Sequence, residues 1–203
     1  MKLYYSPGTC ALSDHIALEW IGKPYEAQRV SKEERGSAEF KKINPAGAVP
    51  VFEKDGWLLT QNSAILNYLA DSFPEAKLGG DGTPASRAEV NRWLAFVNSD
   101  VHPAFKPLFG TTAYLEDEAM IEKTKDYAKT ALRGLFERAD AQLARRDWLT
   151  GARSIADPYF YVTLRWAKAT GVDLSGLDNL VKFTARMEAD PAVQKVLEAE
   201  GIA

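Results

Sequence analysis

The chain has few cysteines and histidines, with one cysteine and two histidines in 203 residues. A single cysteine excludes a disulfide scaffold, and two histidines beside it are too few for a structural zinc site. No basic start is followed by an apolar run and a small-residue cleavage site, so we expect no secretory signal. We therefore expect no bound metal and a reducing, cytoplasmic environment.

The chain also lacks a large net charge and long apolar runs. The 25 Lys and Arg residues are balanced by 28 Asp and Glu residues, which leaves a net charge of −3. Nucleic-acid-binding surfaces are usually basic, and the apolar runs fall far short of the about 20 residues that cross a bilayer. We expect neither nucleic acid nor membrane as a partner. The 46% hydrophobic content suits one or two small domains.

The only cysteine, Cys10, lies between a turn and a helix with apolar periodicity. Free N–H groups and the positive end of the helix dipole would face its sulfur, which favours the reactive thiolate. A redox pair of the CxxC type would have its second cysteine at position 13, where the chain has Ser13. Any partner sulfur must therefore come from another molecule. A buried cysteine that acts as a small hydrophobe is the alternative.

The first eighty residues alternate strands and helices. The charged segment 31–36 is interpreted as a solvated loop, and the first two strands are expected to be parallel with a right-handed crossover. This βαβαββα order is that of a thioredoxin-like domain, a small mixed sheet with helices on both faces. The predicted strands are 2–5, 25–30, 51–54 and 57–60, and the predicted helices begin near 10, 37 and 61.

The second part of the chain has only helical patterns. A segment rich in glycine and proline precedes it, so we predict an α+β/α two-domain protein: a thioredoxin-like unit over 1–76, a linker over 77–85 and an all-α domain over 86–203. A long amphipathic helix is predicted over 116–145, with Tyr127 among its inward residues. Pro103 is expected to bend or end a helix beside His102.

Two polar features flank the predicted turns of the first domain. If the Val49–Pro50 bond is cis, the Val49 backbone faces outward and is free to pair with an extended peptide, whereas a trans proline would simply begin a strand. Gln61, Asn62 and Ser63 begin a helix. Such a cluster fits a carboxylate-binding helix N-terminus, and plain N-capping is the alternative.

Several motifs, in this order and spacing, resemble the glutathione transferase family, in particular its bacterial beta class. The resemblance runs from the first residue to the last without a large insertion. The matching segments are Pro7-Gly8-Thr9-Cys10, Asn44-Pro45-Ala46-Gly47-Ala48-Val49-Pro50, Thr60-Gln61-Asn62-Ser63-Ala64-Ile65, Trp148-Leu149, Ser154-Ile155-Ala156-Asp157 and Leu164-Arg165-Trp166-Ala167.

The resemblance implies how the tripeptide glutathione is held in the first domain. Cys10 would face the glutathione sulfur and form a mixed disulfide with it. Val49, before a cis Pro50, would pair its backbone with the cysteinyl part, and Gln61 and Asn62 would take the γ-glutamyl end. Asn62 stands where the family usually has Ser or Gly, which changes the reach of the side chain.

The resemblance also assigns residues outside these loops. His102 would be catalytic together with the cysteine, approaching from the second domain. Lys32 would reach the glycyl carboxylate, Ser99 would be a further glutathione contact, and Trp166 is a candidate wall of the electrophile pocket. Pro103 stands where relatives often have Lys, which removes a charge from the glutathione site.

The function that the resemblance implies is conjugation of reduced glutathione to apolar electrophiles, with thiol–disulfide exchange through Cys10 as a second activity. Glutathione would be a co-substrate, no cofactor is expected, and the family suggests a homodimer. Two alternatives stay open: a non-catalytic carrier of apolar ligands on the same fold, and a glutathione-dependent dehalogenase or isomerase.

Overall fold

The computed structural model describes all 203 residues, and its first part alternates strands and helices. The predicted loop at 31–36 is in fact a short helix, and the other elements lie within a few residues of their predicted places. The elements are β1 (Lys2–Tyr5), α1 (Ala11–Ile21), β2 (Glu26–Arg29), α2 (Lys32–Gly36), α3 (Ala38–Ile43), β3 (Val51–Lys54), β4 (Trp57–Thr60) and α4 (Asn62–Ser72).

The second part contains no strand. Short 3₁₀ turns at Pro74–Ala76, Lys106–Phe109 and Ala113–Leu115 connect its longer elements. The helices are α5 (Pro84–Ala95), a π-helix (Phe96–Val101), α6 (His102–Ala104), α7 (Glu118–Leu143), α8 (Ala156–Thr170), α9 (Asp178–Ala189) and α10 (Pro191–Glu200). None of these helices is both long and apolar enough to cross a membrane. The exact division at 76 and 86 stays a prediction.

The four strands form one mixed sheet in the order β2-β1-β3-β4. β1 and β2 are parallel, as predicted, whereas β3 is antiparallel to both of its neighbours. Leu3 of β1 lies opposite Phe52 of β3, and both are fully buried because these two strands are the centre of the sheet. The thioredoxin-like architecture of the first domain is thereby confirmed.

Helix α2 was missed in the sequence because its residues are charged and none of them is buried. Ser31 and Glu34 form a reciprocal capping box: Ser31 Oγ accepts from the Glu34 N–H at 3.1 Å, and the Glu34 carboxylate accepts from the Ser31 N–H at 2.6 Å. The Ser-x-x-Glu spacing is the signal that identifies this helix start. The segment is exposed but helical.

Helix α7 confirms the long amphipathic helix, with one error in its predicted face. Tyr127 is 78% exposed, although it was expected to point inward. Ala128, Leu132 and Phe136 are buried and follow one another at intervals of four residues. Tyr127 precedes this stripe by one residue, about 100° around the helix, and therefore faces solvent.

The helix that carries His102 is interrupted, as predicted from Pro103. α5 ends at Ala95, a π-helix follows over Phe96–Val101, and His102 begins α6. The hydrogen bonds of the π-helix run up to the His102 N–H, which donates to the Val97 carbonyl, and Pro103 has no N–H to continue them. The change of winding directs the His102 side chain towards α8, where it meets Tyr159.

The loop before α1 is held by the helical domain. Glu200, buried at the end of α10, accepts from the Gly8 N–H at 2.9 Å through Oε2, while its Oε1 lies 2.9 Å from His15 Nδ1. Trp166 Nε1–H donates to the Gly8 carbonyl at 2.8 Å. Both polar groups of Gly8 are thus fixed by residues far away in the sequence. This positions Cys10 relative to the second domain.

Candidate active site

A cavity of about 370 Å³ opens between the two domains. One side is made by the loops that follow β1, precede β3 and connect β4 to α4, and the other by the π-helix, α6, the 3₁₀ turn after it and α8. Its lining residues are Cys10, Asn44, Ala46, Ala48, Val49, Pro50, Thr60, Gln61, Asn62, Asn98, His102, Pro103, Lys106 and Tyr159.

Cys10 is the residue immediately before α1, and it is only partly exposed, towards this cavity. Its Sγ lies 4.0 Å from the Val49 carbonyl oxygen. The Val49–Pro50 peptide bond is cis, as predicted. The thiol and the backbone of the loop before β3 therefore meet at one place, although 39 residues separate them in the sequence.

The protonation of Cys10 differs from the expectation. Burial raises the pKa of the thiol to about 12, and the neighbouring Asp14 carboxylate acts in the same direction. The backbone N–H groups of Cys10 and Ala11 and the charge of Arg35 lower the pKa, but by less. Desolvation therefore outweighs the helix N-terminus, and the thiol of the free protein is held in its neutral form.

The N-terminus of α4 forms a second side of the cavity. Gln61, which precedes the helix, is exposed and has a φ of +74°, a backbone conformation that is rare for a residue other than glycine. Its side chain makes no capping hydrogen bond. The polar cluster at this helix start thus leaves Gln61 available, which plain N-capping would not.

Asn62 is buried, and its side chain is directed into the protein rather than into the cavity. With its amide oriented so that both atoms are satisfied, Nδ2 donates to the Cys10 carbonyl at 2.9 Å and to Asp14 Oδ2 at 2.8 Å, and Oδ1 accepts from Ser13 Oγ at 2.9 Å. The asparagine side chain at this position therefore extends to α1 and forms its hydrogen bonds there. The side chain is not free to bind a ligand.

His102 faces the cavity beside Tyr159. Its Nδ1 lies 2.6 Å from Tyr159 Oη, and the Tyr159 hydroxyl is also 3.4 Å from Asn98 Oδ1. Burial lowers the pKa of His102 below its usual value, and the positive charge of Lys106 lowers it further. The imidazole is therefore neutral at pH 7, with one ring nitrogen held by the tyrosine.

Three residues expected at the site do not line the cavity. Lys32 is exposed at the start of α2. Ser99 Oγ lies 2.8 Å from the Ala95 carbonyl and 2.7 Å from Asp100 Oδ1, so its one proton is taken by a neighbour in the chain. Trp166 stands behind His102, with ring centroids 4.7 Å apart, and supports that ring instead of forming the cavity wall.

Five polar lining residues were not among the predicted site residues: Asn44, Thr60, Asn98, Lys106 and Tyr159. Lys106 follows His102 by four positions, a spacing that places two residues on one helix face. Its position near His102 could therefore have been predicted from the sequence. It supplies a positive charge that the proline at 103 was thought to remove. Tyr159 and Asn98 reach the site only through tertiary packing, so no local pattern marks them.

Comparison with known proteins agrees with this geometry. The family profile described as "Glutathione S-transferase, N-terminal domain" matches residues 1–71, and "Glutathione S-transferase, C-terminal domain" matches residues 102–191. The "Glutathione S-transferase GST-4.5" of Xanthomonas campestris pv. campestris is 55% identical over 203 residues, covering all of both chains. The chain belongs to the glutathione S-transferase family.

Solved structures give the same result. A glutathione-S-transferase from Xylella fastidiosa is 53% identical with a TM-score of 0.98, over 100% of this chain and 99% of that one. A sphingomonad glutathione S-transferase complexed with glutathione is 36% identical with a TM-score of 0.88, over 100% of both chains. A bacterial beta class transferase from Sphingomonas chungbukensis is 35% identical with a TM-score of 0.88, again over 100% of both.

Proposed function

We propose that this protein is an enzyme that binds reduced glutathione in the cavity between its domains and transfers it to apolar electrophiles. The observation that carries the proposal is the convergence, in one cavity of about 370 Å³, of a cysteine thiol, a helix N-terminus and a lysine. Glutathione has a central thiol and a carboxylate at each end. The cavity is also of the size usual for small ligands.

Each part of glutathione has a counterpart in the cavity. The backbone of Val49, 4.0 Å from Cys10 Sγ, is placed to pair with the cysteinyl unit as an added strand. The γ-glutamyl carboxylate would lie at the N-terminus of α4 near Gln61, where free N–H groups and the helix dipole favour an anion. Lys106 offers a charge partner for the glycyl carboxylate from the opposite side.

The neutral Cys10 thiol suggests how conjugation proceeds. A thiol with a pKa of about 12 is a hydrogen-bond donor rather than a nucleophile at neutral pH. We propose that Cys10 donates to the thiolate of bound glutathione, which attacks the electrophilic carbon. One S–C bond forms, the carbon–halogen bond of an aryl halide breaks, and halide leaves with the electron pair. The glutathione proton is released to solvent.

Thiol–disulfide exchange requires Cys10 to lose its proton. Its thiolate would attack glutathione disulfide, forming the Cys10–glutathione disulfide and releasing one glutathione thiolate, so that atoms and electrons balance. A second glutathione thiolate would then release Cys10. Because Ser13 stands where a resolving cysteine would be, the mixed disulfide persists until an external thiol attacks it.

The experiment is turnover of chlorodinitrobenzene with reduced glutathione, combined with intact mass of protein treated with glutathione disulfide. We expect conjugation in the wild type and in Cys10→Ser, with the mass increase of one glutathione only in the wild type. Glutathione binding without turnover of any aryl halide would favour the carrier alternative. No binding and no adduct would remove the proposal.

We further propose a homodimer. The edge strand β4 exposes Trp57 by 47% and Leu58 by 38%, and the Trp57 ring lies 5.0 Å from that of Tyr68 on α4. A second copy would cover this apolar surface. Sedimentation at micromolar concentration tests the assembly, and a stable monomer would contradict it. Location in the cytoplasm stays an expectation from the cysteine content.

A further inference from the structure

The first turn of α1 contains a buried carboxyl group that the proposed chemistry does not use. Asp14 follows Cys10 by four positions, so the two lie one above the other on the same helix face. Asp14 is 0% exposed, and its Oδ1 has no hydrogen-bond partner. Buried carboxylates are normally paired, so an unpartnered oxygen here requires an explanation.

Asn62 joins this carboxyl group to the cysteine. Its Nδ2 donates both to Asp14 Oδ2 at 2.8 Å and to the Cys10 carbonyl at 2.9 Å, and Ser13 Oγ donates to its Oδ1 at 2.9 Å. The Asn62 amide at the start of α4 is thus bound to three residues of the α1 N-terminus, Cys10, Ser13 and Asp14. Asp14 is held in one orientation beside the turn that carries the thiol.

No cation pairs with Asp14 from the elements packed against α1. The basic group of α1, His15, lies against Glu200 of α10. From α8, the uncharged Tyr159 is close enough to Cys10 and Asp14 that, in addition to burial, negative charge on either raises the pKa of its hydroxyl. Arg35, on α2, lowers the pKa of Cys10. Lys106, in the turn after α6, lowers the pKa of His102. Asp14 and Cys10 therefore share only the partial positive charge of one helix N-terminus.

We propose that Asp14 is a positioning residue that controls when Cys10 becomes a thiolate, because the two groups occupy one buried turn and cannot both be anionic. The thiolate forms readily only while Asp14 keeps its proton. Like charges in a site that excludes water repel strongly. A negative charge on either group therefore disfavours ionisation of the other and opposes the stabilisation that the helix N-terminus provides. Burial raises the pKa of Asp14 well above its usual value, so the repulsion acts only at pH values where Asp14 has lost its proton. Disulfide exchange, which needs the Cys10 thiolate, is restrained there, whereas conjugation uses the glutathione thiolate and is not.

This inference rests on the proposed role of Cys10, but its test does not need glutathione. The experiment is the rate of alkylation of Cys10 by iodoacetamide as a function of pH. In Asp14→Asn, which keeps the shape and removes the charge, we expect the midpoint to fall by about one pH unit, which is about tenfold faster alkylation on the rising limb. Ser13→Ala alters the same network without changing any charge, and its midpoint should equal that of the wild type.

Two results would overturn the inference: an unchanged midpoint in folded Asp14→Asn, or an equal shift in Ser13→Ala. Asp14→Ser, a smaller neutral substitution, replaces Asp14→Asn if the latter does not fold, and circular dichroism checks the fold of each. A shifted midpoint in a protein that neither binds glutathione nor forms the adduct would keep the Asp14–Cys10 coupling and remove the proposed function. An adduct without a shift would do the reverse.

Discussion

His102 Nδ1 and Tyr159 Oη lie 2.6 Å apart. This contact connects α6, which begins at His102 beside Pro103, with α8. The two rings are perpendicular, with centroids 5.9 Å apart. Trp166 also packs against the imidazole, with ring centroids 4.7 Å apart. The His102 ring is therefore fixed at the edge of the cavity by one hydrogen bond and by aromatic contacts.

Tyr159→Phe removes this hydrogen bond and keeps the aromatic packing. We expect kcat for conjugation to fall several-fold, because the imidazole loses its orientation, and the free energy of unfolding to fall by about 1 kcal/mol. Steady-state kinetics and urea denaturation measure the two effects. Tyr161→Phe, on the same helix but with its hydroxyl near Arg165, is the control. An equal loss of kcat in the control would contradict the assignment.

The stability of the protein should depend on the protonation of His102. Burial lowers the pKa of His102 in the folded state, so the unfolded state binds more protons at pH values between the folded and the unfolded pKa. The contribution to stability is full above the unfolded value of about 6.5 and is lost as the pH falls. His102→Gln should reduce the loss of stability between pH 7.5 and pH 5, relative to the wild type, in denaturation at both pH values. An identical pH dependence in the two proteins would show that His102 makes no such contribution.

Lys106, and not Lys32, is expected to bind the anionic end of glutathione. Lys106 lines the cavity, whereas Lys32 is exposed at the start of α2. Lys106→Gln should raise the KM for glutathione several-fold with a smaller effect on kcat, and higher salt should reduce the difference from the wild type. Lys32→Gln is the matched control and should leave the KM unchanged. The opposite pattern would restore the interpretation made from the sequence.

Asp157 is expected to stabilise the fold without taking part in catalysis. Its buried carboxylate accepts from the Ser154 N–H at 2.7 Å, the Ser154 hydroxyl at 2.9 Å and the Leu149 N–H at 3.0 Å. Asp157→Ala leaves these buried donors unpaired and should lower the free energy of unfolding by about 2–4 kcal/mol. Denaturation measures the loss, and the KM for glutathione should be unchanged at a temperature where the variant is folded.

Much of the fold follows from local patterns. The alternation of short strands and helices identified the thioredoxin-like domain, and the purely helical patterns beyond the linker at 77–85 identified the helical part. Pro103 predicted the interruption of the helix at His102. Each of these signals acts within a few residues, through hydrophobic period or proline geometry, which is why the sequence contains them. Helix α2 was missed although its capping box was present.

The chemistry of the site depends on contacts that no local pattern describes. The position of Cys10 before a helix suggested a thiolate, but the protein that packs around it removes water and raises the pKa of the thiol to about 12. Likewise, Asn62 marks a helix start in the sequence, whereas its amide is bound to Ser13 and Asp14 across the domain. Burial is a property of the assembled structure, so desolvation cannot be inferred from residue spacing.

The sequence by itself determined the order of the elements, the family and the presence of one thiol at a helix N-terminus. Only the tertiary structure decided which residues surround that thiol. Lys106 and Tyr159 reach the cavity, while Lys32 and Ser99 do not, because the winding of the chain around Pro103 and the packing of α8 select the side chains that converge. Local propensities act over neighbouring residues, whereas a site between two domains is assembled from residues that are far apart in the chain.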